Sequence, residues 1–397
     1  MPSEEQVRAR IETLTAAIEQ QKQVLKDLEE QRCAAQSELN TIIAPIARLP
    51  VEISTDILLQ SLPTPGTWAA VTELERVCRQ WRAIVLCTPI FWTSINDEGI
   101  PPPAFPDILA TWLERGQELP VSLVLQDADL SMFTYKAAGI QEYAFRVRNL
   151  ELRGVGDQEL RAIAFDFPVL SSLTLAETNC SPKVLLEVLH GAPNLANLNV
   201  LEGCSLSWDP HPVPMTHLNI QSLRCEGADT LDLDYLTLPS LRLLSISQCD
   251  EFGMNDLRRF LTRSNPPLRF LHMGVQAVDK VEWIVPSLKL VPGLLDFEVQ
   301  LCGSPVTFFD LFRNDHDLLP ELRSIVLDAR DHHVLPSGYQ GMMDFLYHRR
   351  ELLRSLRMLI PKKEEAFFLA NADVREFQER GMHIHIGTED RNFVPDL

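Results

Sequence analysis

The 397-residue sequence is short of basic side chains, with 36 Lys and Arg against 55 Asp and Glu and a formal charge of −19 at pH 7. Such an excess of one sign argues against partners held chiefly by neutralised phosphates, so neither nucleic acid nor an anionic membrane surface is expected as a main partner. Long apolar runs are also missing: none approaches the roughly 18 residues of a membrane span. Glu4 and Glu5 stand where a secretory leader would carry positive charge. A cytoplasmic or nuclear location is the expectation. The eight cysteines, at 33, 78, 87, 180, 204, 225, 249 and 302, include no Cys-x-x-Cys pair, so no zinc site or thioredoxin-like motif is written. They read as small buried hydrophobes of a reducing compartment.

Catalytic signatures are equally scarce. Gly154-Val155-Gly156 is followed by Glu159 where a dinucleotide loop needs its third glycine, and no Gly-x-x-x-x-Gly-Lys, His-Glu-x-x-His or Gly-x-Ser-x-Gly string occurs. His332-His333 and the His383/His385 pair lack Cys or carboxylate neighbours at ligand spacing. Asp229, Asp232 and Asp234 lack the glycine pattern of a calcium loop and read as a solvated turn. The expectation is a non-enzymatic protein with no catalytic residue, no cofactor and no metal.

What is present is an ordinary globular composition, 45% hydrophobic and 23% charged, with enough chain for two or three domains. Residues 1–44 carry no Gly, no Pro after Pro2, and many Glu, Gln, Lys, Ala and Leu, which predicts one long helix. Val7, Ile11, Leu14, Ile18, Leu25, Leu28, Ala35, Leu39 and Ile42 step by 3 and 4 once Gln21 and Arg32 are counted in the same stripe. A heptad seam of this length calls for a partner helix. Pairing with another chain, including self-association, is the expectation; packing on the downstream domain is the alternative.

Residues 45–95 differ in texture. Leu49-Pro50-Val51-Glu52-Ile53 opens a short helix, with Pro50 suited to the first turn and Glu52 to the positive end of the dipole. The Pro63-Thr64-Pro65-Gly66 cluster breaks the chain. A second helical stretch leads into Val77-Cys78-Arg79-Gln80-Trp81-Arg82, and Thr88-Pro89-Ile90-Phe91-Trp92 ends the segment. Three short helices make a core too small to be stable alone, so a partner or neighbouring domain is expected.

These strings resemble the F-box, through which substrate adaptors dock on the Skp-family subunit of a cullin-RING ubiquitin ligase. The residues carrying the likeness are Leu49-Pro50-x-Glu52-Ile53, Ile57-Leu58, Leu74-x-x-Val77-Cys78-Arg79-x-Trp81-Arg82 and Thr88-Pro89-x-x-Trp92, over about residues 46–95. Ser54 departs from the family's usual leucine. The order of coiled coil, F-box and repeats is similar to F-box-like proteins of mushroom-forming fungi. The resemblance implies a Skp-family docking surface drawn from Leu49, Pro50, Glu52, Ile53, Ile57, Leu58, Val77, Cys78 and Trp81. Leu49, Pro50, Ile53, Ile57 and Leu58 would face the partner, Val77 and Trp81 would knit the module together, and Trp92 would join it to the first repeat.

The remainder repeats. Aligned L-x-x-L-x-L strings begin at Val147, Leu170, Leu195, Ile220, Leu241, Leu268, Leu294, Leu322 and Leu353, with steps of 23, 25, 25, 21, 27, 26, 28 and 31 residues. This is the period of leucine-rich repeats, short strands stacking in parallel with a helix returning between them. Pro often precedes the string, as in Phe167-Pro168, Ala192-Pro193 and Leu238-Pro239. Val121/Leu123/Leu125 reads as an opening strand and His383-Ile384-His385-Ile386 as a terminal one. Cys180, Cys204, Cys249 and Cys302 follow their strings at similar distances, which resembles the cysteine-containing subclass of repeats common after F-boxes.

One basic segment, His348-Arg349-Arg350 through Arg354, Arg357 and Lys362-Lys363, interrupts the acidic chain. Read as one helix face, Arg349, Arg350, Arg354 and Arg357 are candidates for holding an acidic or phosphorylated substrate segment; a solvated exterior balanced by Glu351, Glu364 and Glu365 is the alternative.

The expected fold class is thus α/β: a leucine-rich-repeat solenoid preceded by a small all-α module and a long helix. The expected division is 1–44 coiled-coil helix, 45–95 F-box, 96–118 linker, 119–386 repeat array and 387–397 tail. The expected function is that of a substrate receptor, docking a Skp-family subunit and capturing a protein substrate. A non-proteolytic repeat scaffold with a degenerate F-box, and an enzyme on a repeat frame, are the other classes.

Overall fold

The computed structural model describes residues 4–43, 49–63, 67–98, 100, 102–126, 130–163, 166–201, 205–206, 214–226, 233–249, 251–275, 284–301, 305–330, 336–364 and 374–394. The chain divides into two compact units, Met1–Thr64 with Ala69–Phe91, and Pro65–Trp68 with Trp92–Leu397.

The first unit is helical. Helix α1 (Glu4–Ile43) follows from its lack of breakers, and surface pairs such as Arg8–Glu4 at 2.7 Å reinforce it at i, i+4 spacing. Every described side chain along it is exposed. Pro50 caps helix α2 (Val51–Ser61), its carbonyl accepting the Ser54 N–H at 3.0 Å, with Glu52 in the first turn. Helices α3 (Trp68–Val77) and α4 (Arg79–Cys87) meet at Cys78, whose thiol caps α4 by accepting the Trp81 N–H at 3.4 Å. Ser54, Leu58, Val71, Ile84 and Val85 are buried.

The second unit is α/β and built on one all-parallel sheet. In chain order come β1 (Ser94–Asn96), α5 (Phe105–Arg115), β2 (Val121–Gln126), α6 (Leu130–Gln141), β3 (Val147–Arg153), α7 (Asp157–Ala162), β4 (Ser172–Ala176), β5 (Asn179–Cys180), α8 (Pro182–His190) and β6 (Asn197–Val200). Then follow β7 (Ser205–Leu206), β8 (Met215–Thr216), β9 (Ser222–Cys225), β10 (Leu236–Thr237), β11 (Leu243–Cys249), α9 (Glu251–Ser264), β12 (Phe270–Val275), α10 (Val285–Leu288) and β13 (Asp296–Leu301). The chain closes with α11 (Pro305–Asn314), β14 (Ser324–Asp328), α12 (Pro336–Arg349), β15 (Ser355–Leu359), α13 (Arg375–Glu379) and β16 (His383–Gly387). Twelve strands form the main sheet in the order β1-β2-β3-β4-β6-β9-β11-β12-β13-β14-β15-β16, while β5 with β7 and β8 with β10 make two short ribbons.

All nine aligned strings lie on strands of this sheet or at their entry, in one register. Leu123, Leu150, Leu173, Leu198, Leu223, Leu244, Leu271, Phe297, Ile325, Leu356 and Ile384 stand side by side, none more than 5% exposed. Side chains alternate across a strand, so a slip of one residue would turn an entire row out of the core, and burial locks the register. The backbone continues the ladder ahead of the strands, with Arg242 N–H on Gln221 O and Arg269 N–H on Arg242 O, both at 2.8 Å. One irregularity sits between Ile246 and Cys249 of β11, opposite Gly274. A Cβ on Gly274 would overlap the Ser247 carbonyl, so this bulge requires glycine.

Several expectations need correction. The stretch 96–118 is no linker: β1 opens the sheet ahead of Val121, and α5 buries Phe105, Leu109, Trp112 and Leu113, positions that share one helical face. Trp92 packs edge-on against Trp112, centroids 4.8 Å apart, with the Arg115 guanidinium 4.4 Å above the Trp92 ring. Nor does a helix return in every unit. Among the described residues no α-helix lies between β6 and β11; a single 3-10 turn at Leu233–Tyr235 does. The first interval contains Pro210, Pro212 and Pro214, poor helix residues, and the second is the shortest step of the array, 21 residues. The tail from 387 is partly folded. Asn392 donates to Ile384 O at 3.1 Å and accepts from Ile386 N–H at 3.0 Å, and Phe393 and Val394 are buried, so this segment covers the outer edge of β16. The cysteines are mixed: Cys180 and Cys225 are buried, Cys78 half-buried, and Cys33 and Cys87 exposed on helices with a polar side to water. Cys204 and Cys302 lie outside the described residues.

Candidate functional site

On α2, residues four apart share a face, and the helix is apolar on two faces at once. Ser54 and Leu58 turn inward, at 0% and 1% exposure. Leu49, Ile53 and Ile57 form an exposed stripe, at 38%, 46% and 44%, with Val51 beside it at 57%. Pro50 and Glu52 are exposed as well. Contiguous aliphatic exposure on a short helix makes this a candidate contact surface. Leu58 leaves the expected docking set, because it supplies the inward face of α2. Val77 does not knit the module: it ends α3 where the chain turns at Cys78, and is 59% exposed. Trp81 is half-buried, and Cys78 has a local role as the α4 cap. Trp92 belongs to the second unit, 1% exposed against Trp112.

In the second unit, positions alternating with the buried rows line the opposite sheet face. Across successive strands they read Glu151, Thr174, Asn199, Arg224, Ser245, His272, Glu298, Val326, Arg357 and His385. Neighbours pair laterally: Asn199 donates to Thr174 Oγ1 at 3.1 Å, and His272 Nδ1 lies 3.4 Å from Glu298 Oε2. Near Arg323, burial pushes the Asp296 carboxyl above its ordinary range, with the Arg323 charge opposing. At the last two strands Ser355, Arg357, Gln378, His383, His385 and Asn392 surround an open cleft of about 440 Å³.

The basic segment does not form one helix face. Helix α12 ends at Arg349, Arg354 precedes β15 and Arg357 lies within it. Arg349 is 6% exposed and donates to Leu319 O and His316 O, each at 2.8 Å, and to Leu318 O. It therefore satisfies backbone carbonyls of the turn after α11, and burial lowers its pKa against the opposing charges of Asp317 and Asp315. A substrate role for Arg349 is thereby withdrawn. Arg350 sits 3.6 Å from Glu351, in keeping with a solvated exterior, while Arg354 and Arg357 are exposed.

A different set of arginines emerges. Arg148, Arg242, Arg269, Arg323 and Arg354 each follow the first apolar residue of their string and are all exposed. Stacking places Arg242 beside Arg269, and Arg323 beside Arg354, at the entries of adjacent strands about 4.8 Å apart. Arg269 is partly offset by Glu321 at 3.1 Å. The signal was legible as a recurring Arg at one repeat position, which reading the basic segment as a contiguous run conceals.

Asp234 of the acidic turn is engaged rather than solvated alone. It meets Arg259 at 2.6 Å and Arg263 at 3.4 Å. Burial raises its pKa, but the two guanidinium groups outweigh that and hold the carboxyl below its ordinary value. Asp229, Asp232, His332 and His333 lie outside the described residues. Among the described residues no group of three His, Cys, Asp or Glu side chains could hold a metal ion, and no helix is long and apolar enough to cross a membrane. Gly156 donates its N–H to Glu159 Oε2 at 3.0 Å, so Glu159 caps α7 at the place where a dinucleotide loop would need glycine. Comparison with protein-family models and with curated proteins returned no match.

Proposed function

We propose that this chain is the substrate-receptor subunit of an SCF-type cullin-RING ubiquitin ligase, its first unit serving as an F-box and its second as a leucine-rich-repeat capture array. The observation that carries the reading is the exposed aliphatic stripe of Leu49, just ahead of α2, with Ile53 and Ile57 on α2, set within the ordered F-box-like strings. Ser54, the departure that favoured a degenerate F-box, is turned to the inside of α2 and lies off that stripe, so it bears on packing rather than docking. The second unit presents a long polar sheet face and two pairs of arginines at its strand entries, suited to a protein partner with acidic segments.

The mechanism is proximity. Such a receptor raises the effective concentration of substrate near a ubiquitin-loaded enzyme and supplies no acid, base or nucleophile. The test is a pull-down of the full chain with a Skp-family subunit. Association should fall at least tenfold after Leu49→Ala with Pro50→Ala, or after Ile53→Asp. No association by the intact chain, or undiminished association by both variants, would overturn the reading.

A further inference from the structure

The described seam side chains of α1 are uncovered. Val7, Ile11, Leu14, Ile18, Leu25, Leu28 and Leu39 are between 45% and 58% exposed, on a helix of 40 residues, about 60 Å long at 1.5 Å per residue. Their steps of four and three run without a phase break. Ile11, Ile18, Leu25, Arg32 and Leu39 occupy one core position of the heptad, and Val7, Leu14, Gln21, Leu28 and Ala35 the other. Gln21 and Arg32 are the only polar members of this set.

We propose that α1 pairs with the α1 of a second copy of this chain as an antiparallel coiled coil, Gln21 of each copy facing Arg32 of the other. In a parallel, in-register pair each core residue meets its own mate, so two Arg32 guanidinium groups would be pressed together in the seam, a costly arrangement. In an antiparallel pair the two core positions meet each other instead. Setting Gln21 against Arg32 places Leu14 against Leu39, Ile18 against Ala35 and Leu25 against Leu28. Apolar then meets apolar at every layer from Ile11 to Ile42, and the two polar positions meet only each other. A shift of one heptad either way would set Arg32 against Leu14 or Leu28, and Gln21 against Leu25 or Leu39. The flank agrees: Lys22, held to Glu19 at 2.7 Å on its own helix, comes beside Glu29 of the second copy. A matched polar layer of this kind selects register and orientation. The pairing does not depend on the docking or capture roles, and its test reads neither.

The experiment is sedimentation of the full chain across the micromolar range. A dimer is expected, and Leu25→Asp, on an exposed position, should leave a folded monomer. Orientation is read by disulfide trapping in a Cys33→Ser, Cys87→Ser background. Leu14→Cys mixed with Leu39→Cys should cross-link, whereas Leu14→Cys alone should not, because the two copies of that position lie about 37 Å apart. Gln21→Glu should tighten the dimer about fivefold by facing Arg32 twice. A monomer at all concentrations, a dimer indifferent to Leu25→Asp, self-cross-linking of Leu14→Cys, or a Gln21→Glu variant that dissociates more readily would each overturn the proposal.

Discussion

Leu271 and Ile53 are both aliphatic side chains on regular elements, yet Leu271 is 0% exposed in the parallel sheet and Ile53 is 46% exposed on α2. The same contrast holds for ion pairs. Lys136 and Asp97, 2.7 Å apart, are 3% and 1% exposed in the second unit, whereas Arg8 and Glu4, also 2.7 Å apart, are 74% and 80% exposed on α1. A repeat supplies the partner for its own apolar row, because the next strand presents the same residue type at the same height. The helices of the first unit have no such internal copy. Their apolar stripes stay at the surface, so equal hydrophobicity is buried in one unit and left exposed in the other.

That contrast breaks or sharpens under substitution. The largest effect is expected at the buried ion pair. Asp97 accepts Lys136 Nζ and the Gln126 N–H, so Lys136→Ala leaves a carboxylate buried without its cation. A loss of about 3–5 kcal/mol in the array's urea transition is expected, against under about 0.5 kcal/mol for Arg8→Ala. Equal losses would erase the distinction. Next, Leu271→Ala should cost about 3 kcal/mol through the cavity it leaves. Ile53→Ala should cost under about 1 kcal/mol in melting experiments while reducing Skp-family association, and a large stability loss there would move Ile53 into the core. Gly274→Ala should cost about 1–3 kcal/mol by forcing the bulge at Ser247 apart. An unchanged melting temperature would show that β11 yields at little cost.

The smallest effect is a pH dependence confined to the array. Burial lowers the pKa of His217 below 6.5, with the bond to Ala192 O opposing. The unfolded chain then binds the proton more readily than the folded one. Stability is full above pH 6.5 and declines as pH falls below that value toward the lowered folded pKa. Urea midpoints measured through this window should show a slope that His217→Gln flattens.

Much of the array was legible because parallel stacking repeats one local rule. The nine strings located nine strands, and His383-Ile384-His385-Ile386 the last one, since period-two alternation and turn spacing are local signals. β1 is hidden in the sequence because Ser94-Ile95-Asn96 is too short to show alternation, and Pro101, Pro102, Pro103 and Pro106 mask the start of α5. Proline there is compatible with a first turn. Arg349 illustrates the limit most sharply. In the sequence it is one cation in a basic run; its burial against three carbonyls arises from residues 30 or more positions earlier.

By itself, then, the chain's residue order determined the helical start, the short helices around Leu49 to Trp81, the strand rows and their period, and the heptad phase of α1. These are nearest-neighbour properties, read from spacing and propensity. Only the tertiary structure decided that Leu58 and Ser54 face inward while Ile53 and Ile57 face out, that arginines of neighbouring repeats pair at the strand entries, and that Asn392 closes the edge of β16. Those outcomes depend on which distant segments share a surface, since burial and pairing are set by the neighbours that folding brings together.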